Sequence, residues 1–505
     1  MALLIRNVAL ALAFPLAGAA CSLILDADSL KGGGSSSGTG SGDSGTTSDA
    51  DAAATNDAGP QICESDLDCQ GKKLEACVEL VCGPDKKCKA PRPHAGLGIE
   101  AVTDVQTILE ADDIGYPSLY VDQAAKRADI VMGVWVRSKE KTDVALFKYT
   151  ENPSIGAGST TLRALFPTEF AAFSSSPGLA APAFTQRLRM LFAAVPAGQT
   201  AARMFQYDLA AAGTGLALAP MQPTKRDLGD PNFDANPAGP VPRMVGTLSD
   251  PWGFWVQQGQ LHFTDGTNAG SVFIAKQVLD FAPIVGVGGP YAVLTTADST
   301  GSPGSQAIEV WARDNPSLNR IPGDEAGRHR GLAAVWVPEI IANYIVWSFD
   351  KDGAPRVKTG AAICGGPTCT SGVPPTQASD SFPAAFPQAA TAQITGTERD
   401  IVQSFQVFAP SPVSAIPRTA LVATALRATF QMGDTGTKVA STTMNPSIFF
   451  VTAVDSPEGV ALGEAIGPSS LAITSSGHIV AVWVEHTEKA KAALKMRRFQ
   501  VKACP

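Results

Sequence analysis

Asp129-Ile130-Val131-Met132-Gly133-Val134-Trp135-Val136, followed after a polar break by Val144-Ala145-Leu146-Phe147-Lys148-Tyr149, is the stretch on which the fold turns. A counterpart stands near the other end of the chain, where His478-Ile479-Val480-Ala481-Val482-Trp483-Val484 precedes Ala493-Leu494-Lys495-Met496-Arg497-Arg498-Phe499. Both units are introduced by the same small signature, Pro117-Ser118-Leu119 in one and Pro468-Ser469-Ser470-Leu471 in the other. Each apolar run is short and rich in β-branched and aromatic residues, so it reads as a buried strand. The second run alternates, which makes it the hairpin partner of the first.

Working outward, comparable apolar strands occur at residues 189–195, 253–256, 291–294, 332–337 and 400–402. That makes about seven units spaced roughly sixty residues apart, a degenerate internal repeat. Gln257-Gln258-Gly259-Gln260 and Asp350-Lys351-Asp352-Gly353 read as the turns of such hairpins. With 48 glycines, 37 prolines and 45% hydrophobic residues, the composition is that of an all-β protein with a large core. Strand and hairpin units repeated round a chain resemble the blades of a β-propeller, in which a valine-rich inner strand is expected to line the hub. The likeness of the first and last units fits closure of a ring over residues 95–505. A solenoid is the main alternative, and the uneven period speaks against it. Prolines inside the strands, with the leader described next, disfavour a transmembrane barrel.

The chain opens with Arg6, an apolar run from Val8 to Ala20 and the small residues Gly18, Ala19 and Ala20 before Cys21. That order resembles the leader of a bacterial lipoprotein. The resemblance implies a signal peptide over residues 1–20, cleavage before Cys21, acylation of its thiol and a soluble body anchored to the lipid bilayer. Gly18 stands where the usual motif carries leucine. An uncleaved anchor and a free secreted protein cut near Ala20 are the alternatives. Ser22 after the cysteine resembles the signal for sorting to an outer membrane, so the expected location is the cell envelope. Residues 31–60 are almost entirely Gly, Ser, Thr, Ala and Asp and cannot bury a core, so a disordered linker is expected within residues 21–60. Such a coil would span roughly 30 Å, enough to clear a headgroup layer. Gly34-Ser35-Ser36-Ser37-Gly38 and Gly40-Ser41-Gly42-Asp43-Ser44-Gly45 mimic a hydrolase elbow and a dinucleotide loop. Neither has the strand and helix that give those patterns their chemistry.

Nine cysteines in an exported chain read as a disulfide framework. Cys63, Cys69, Cys77, Cys82 and Cys88 cluster within residues 61–92 among small polar neighbours, so this segment would depend on cross-links rather than a core. Cys63-Glu64-Ser65-Asp66-Leu67-Asp68-Cys69 resembles the small Cys-rich knots that follow the linker in bacterial surface lipoproteins. Cys364 and Cys369 flank Gly365-Gly366-Pro367-Thr368 and are expected to close that loop on each other. If Cys21 carries lipid, parity then leaves the five knot cysteines and Cys504. Cys504 is therefore expected to bond one of the five, with a free Cys504 or a bond to another chain as the alternative.

The chemical inventory is thin. The five histidines, His94, His262, His329, His478 and His486, form no metal-type pair, and His478 at the head of a strand reads as structural. Asp350, Asp352 and Gly353 begin like a calcium loop, but Ala354, Pro355 and Val357 supply no further ligands, so a hairpin turn is the better reading. Asp227, Asp230 and Asp234 lie in a Pro/Gly-rich loop that could hold calcium or sugar, with a solvated loop as the default. No metal, cofactor or catalytic residue is assigned. A net charge of −8 offers no general cationic surface for nucleic acid. Lys489, Lys491, Lys495, Arg497 and Arg498 read as the solvated face of a last strand.

A monomeric, non-catalytic surface lipoprotein that binds protein or glycan on its propeller face is the favoured function. An envelope enzyme acting on polysaccharide is the first alternative, and it would need two convergent carboxylates in the channel. A scaffold in outer-membrane assembly, resembling the propeller lipoprotein that accompanies barrel insertion, is the second.

Overall fold

The structure, a computed structural model, describes residues 77–505 apart from interruptions, the longest being 122–128, 229–241, 299–305, 410–417 and 453–465. Cys21, the linker, Cys63, Cys69 and Cys88 lie outside the described residues.

Seven antiparallel sheets follow one another along the chain, each built round a path of four strands. Taken in chain order as blades 1 to 7, their innermost strands are Ser118–Val121, Gly178–Ala180, Arg243–Val245, Gln277–Gly286, Arg328–Val337, Ala384–Thr395 and Ile466–Ile473. The first six blades meander outward from that strand, and each innermost strand packs against the next all the way round, the seventh against the first. The chain is a seven-bladed β-propeller. Blade 7 takes its first three strands from the C-terminus, but its fourth is Gly96–Ala101, paired with Lys491–Cys504 in a register that sets Gly96 opposite Cys504. The two ends of the propeller are thus stitched into one sheet. Beside that seam, Cys77 and Cys504 form a disulfide that links positions 427 residues apart.

The expectation that the valine-rich strands line the hub is corrected. Six of the seven apolar runs are second strands, among them Asp129–Ser138 in blade 1 and His478–Thr487 in blade 7. Only Arg328–Val337, which holds the run at 332–337, is innermost. The physical reason is the pleat. Val131 and Trp135 point into the core shared with blade 2, packing with Leu188, Met190 and Phe192, whereas Ile130, Met132 and Val134 pack with Val480, Val482 and Val484 of blade 7. A second strand lies between two neighbouring blades, so both its faces are dry and the run is continuously apolar. An innermost strand has the channel on one side and carries small or polar residues there, such as Ser118, Gly178, Ala333, Ala389 and Ser470.

Hydrophobic clusters fill all seven blade interfaces. Each fully buried Val, Leu or Phe contributes about 1.5–3 kcal/mol, so these interfaces carry most of the stability. Polar clasps set the angle between blades. Trp135 donates from its indole to the Phe173 carbonyl at 2.7 Å, joining blades 1 and 2. Arg399 in blade 6 makes a bidentate pair with Glu339 in blade 5, both contacts 2.8 Å, with the two side chains 9% and 13% exposed. Of the basic strip near the C-terminus, Lys491 is exposed and Lys495, half-buried, pairs with Glu485. The strip is not a solvated face throughout, because Gln106–Ala111 pairs along residues 492–496 and the chain at Thr103 lies against Arg497 and Arg498. Arg497 and Arg498 are buried, and Arg497 donates to the Val451 and Thr103 carbonyls.

Candidate functional site

The channel is concave, and all seven blades contribute to its wall. Tyr116, Ser118, Gly178, Arg243, Ala282, Ala333, Gln388 and Ser470 surround a cavity of about 210 Å³. The innermost strands are edge strands, which explains why proline recurs beside the channel at Pro117, Pro242 and Pro283: no partner strand on that side needs the missing N–H. Gly178 is required by close approach, since a Cβ there would lie 2.6 Å from the Pro242 carbonyl oxygen. Ser118 ties blade 1 to blade 2 by donating to the Pro177 carbonyl at 2.5 Å.

At the end where the innermost strands begin, the channel opens into a mouth of about 280 Å³ lined by Tyr116, Arg243, Asp280, Thr295, Arg328, His329, Arg330, Phe386 and Gln388. Bulges build it. The register between first and second strands shifts at Val278/Asp280 in blade 4, His329/Leu332 in blade 5, Ala385/Gln388 in blade 6 and Ile466/Ser469 in blade 7. A bulge re-aims the side chains next to it, and bulges are enriched beside functional sites. In blades 4, 5 and 6 they place Asp280, Arg330 and Phe386 at the mouth. Phe386 is 39% exposed and holds a left-handed backbone, φ 54°. Gly331 (φ 110°) faces it so closely that a Cβ would lie 2.8 Å from the Phe386 Cα. Non-glycine backbone held in that region costs on the order of 1–3 kcal/mol and clusters at functional sites.

Arg243 is the centre of the mouth's polar network. Its guanidinium lies 3.3 Å from Asp280, donates to the Phe281 carbonyl, and sits 6.0 Å from the Tyr116 ring centroid and 5.3 Å from that of Phe281. Burial raises the Asp280 carboxyl above its usual range, against the opposing pull of Arg243 and of the Phe281 N–H that it accepts at 2.8 Å. Gln388 donates to the Tyr116 hydroxyl at 2.9 Å, and burial raises Tyr116, so the phenol keeps its proton as a donor. Burial lowers His329 to about 4, with Arg320 and Lys358 adding to the effect, so its ring is neutral at neutral pH. Arg330 pairs with Asp350 at 2.8 Å. Among the described residues lining the mouth, Asp280 is the single carboxylate.

The residues singled out in the sequence are placed as follows. Cys364 and Cys369 stand directly opposite each other across the hairpin of Ala354–Gly365 and Thr368–Gln377. Directly opposed antiparallel residues have Cα atoms roughly 4.5–5.5 Å apart, inside the disulfide range. Cys82 is disulfide-bonded. Asp350 belongs to a strand and its carboxylate is taken up by Arg330, while Asp352 lies outside the described residues. Asp227 pairs by its backbone with Phe205, and Asp230 and Asp234 lie outside the described residues. No group of three or more metal-type ligands occurs among the described residues. Tyr116, Arg243, Asp280, Phe386 and Gln388 were not singled out by sequence reasoning. The prolines at 117, 242, 283, 387 and 468 were the signal that could have located the channel wall.

No family model and no curated protein matches the chain. Among solved structures it is similar to a protein of unknown function from Dyadobacter fermentans, with 8% identity over 80% of this chain and 99% of that one (TM-score 0.41). It is also similar to the six-bladed, fucose-recognising lectin of Aleuria aurantia, with 12% identity over 67% and 97% (TM-score 0.32). An endo-arabinase from Bacteroides thetaiotaomicron matches at 10% identity over 63% and 96% (TM-score 0.25). At these values the likeness is one of fold and says nothing of ligand.

Proposed function

We propose that this chain is a monomeric, membrane-tethered extracytoplasmic lipoprotein of the cell envelope whose propeller binds a glycan or protein at the channel mouth without transforming it. The observation that carries the reading is the convergence of Tyr116, Arg243, Phe386 and Gln388, drawn from the approach to blade 1 and from blades 3 and 6, on one cavity of about 280 Å³. A few placed hydrogen-bonding groups beside an aromatic surface in a concave site suit recognition. Arg243 engages Asp280, so the mouth's carboxylate has a positioning partner rather than a second acid beside it. The leader ending at Cys21 and the linker after it support the tether.

One experiment tests both parts. Full-length protein recovered from the detergent phase of its own membranes, with the acylated Cys21 peptide identified by mass, is screened on glycan and envelope-protein arrays beside a Phe386→Ala/Gln388→Ala variant. Binding by the parent with at least a tenfold loss in the variant is expected. A ligand held equally by both, a ligand converted to product, or an unacylated chain in the aqueous phase would overturn the corresponding part.

A further inference from the structure

The charge at the mouth does not match the charge of the chain. The sequence carries −8 overall, yet blade 5 brings Arg328 and Arg330 to the rim beside Arg243, with Arg320 and Lys358 near enough to depress His329. Against these stand Asp280 and Asp350, each already held by one arginine. Arg328 is exposed and, among the described residues, has no ion pair. A local excess of positive charge in a concave, partly desolvated site attracts anions far more strongly than the same charge on an open surface. A second observation points into the same cavity. Thr295 lines the mouth, is 2% exposed, and its buried hydroxyl has no hydrogen-bond partner among the described residues.

We infer that the ligand of this mouth is an acidic glycan, its carboxylate directed to Arg328 and its ring to Phe386. This rests on the reading that the mouth is the binding site. Arginine presents a planar fork that matches a carboxylate with two parallel hydrogen bonds. Phe386 offers a partly exposed ring against which the apolar face of a sugar can lie. The neighbouring Gln388 amide and the protonated Tyr116 supply donors and acceptors for its hydroxyls. An acidic peptide would satisfy the arginine but gives no use to an exposed aromatic lining the same mouth as neutral donors.

The test is calorimetric titration of the full chain with a hexameric uronic-acid oligosaccharide, its fully methyl-esterified form and poly-glutamate. The acid oligosaccharide should bind, its ester at least tenfold more weakly, and poly-glutamate at least tenfold more weakly. Arg328→Ala should lose about tenfold for the acid and leave the ester unchanged, and Arg328→Glu should lose more. Raising the salt from 0.1 to 1 M, which shortens the screening length from about 10 to about 3 Å, should weaken the acid selectively. Equal binding of acid and ester, with sensitivity to Phe386→Ala, would overturn the anionic class while leaving the mouth as the site. Preference for poly-glutamate, or no binding of the acid oligosaccharide, would overturn the inference outright.

Discussion

His329 stands at the start of the innermost strand of blade 5, its backbone N–H donated to the Gln306 side chain at 2.7 Å. Burial, assisted by Arg320 and Lys358 and opposed by hydrogen bonds at Gln306 and Ser348, lowers its pKa from 6.5 to about 4. The unfolded chain therefore binds a proton between those values that the folded chain refuses. Stability from this group is complete above pH 6.5 and is lost as pH falls through 4. The loss approaches about 3 kcal/mol at 1.36 kcal/mol per unit. Melting midpoints across pH 4–7 should fall more steeply for the parent than for His329→Gln, and parallel curves would refute the assignment. Few residues of the mouth were legible beforehand, because a histidine, an arginine or a tyrosine in isolation carries no sign of where a bulge will aim it.

Strands were far more legible than side chains. The runs at 130–136 and 479–484 announce themselves because burial on both faces removes every polar residue, and seven such runs became seven blades. Their place within a blade was misread, since a continuously apolar strand looks the same whether it faces a channel or a neighbouring sheet. What locks one blade to the next is a pair such as Arg399 and Glu339, which are sixty residues apart and buried together. Removing one partner strands the other charge in a dry interface. Arg399→Ala should therefore cost about 3–5 kcal/mol, and Arg399→Met/Glu339→Leu should recover much of it. Denaturant midpoints of the three proteins decide the matter. A single variant as stable as the parent would show the clasp to be ornamental.

At the scale of the molecule, closure depends on two devices acting at one seam. Gly96–Ala101 completes blade 7 by hydrogen bonds, and the Cys77–Cys504 disulfide covalently holds the same pair of ends. A propeller that opens must part a seam, and a cross-link there restrains the open state over a loop spanning almost the whole domain. Cys77→Ser should cost about 2–4 kcal/mol, read as a lowered denaturant midpoint. Amide exchange should quicken first in Lys491–Cys504 and Gly96–Ala101 if the seam is where opening begins. Uniform exchange across all blades would place the weak point elsewhere. The far ends of this seam and the mouth lie at opposite ends of the channel. Lys491–Cys504 runs away from the end where the innermost strands begin, and Gly96 lies opposite Cys504.

By itself the sequence determined that the chain is all β, repeats about seven times and has likeness between its first and last units, because alternation and turn chemistry are local properties written in neighbouring residues. Only the tertiary structure decided which strand lines the channel, that the N-terminal strand completes the last blade, and that Tyr116, Arg243, Asp280, Phe386 and Gln388 meet at one mouth. These residues span 272 positions between Tyr116 and Gln388. Their meeting depends on ring closure and on bulges that each shift the register by one residue, and neither leaves a periodic trace in the chain.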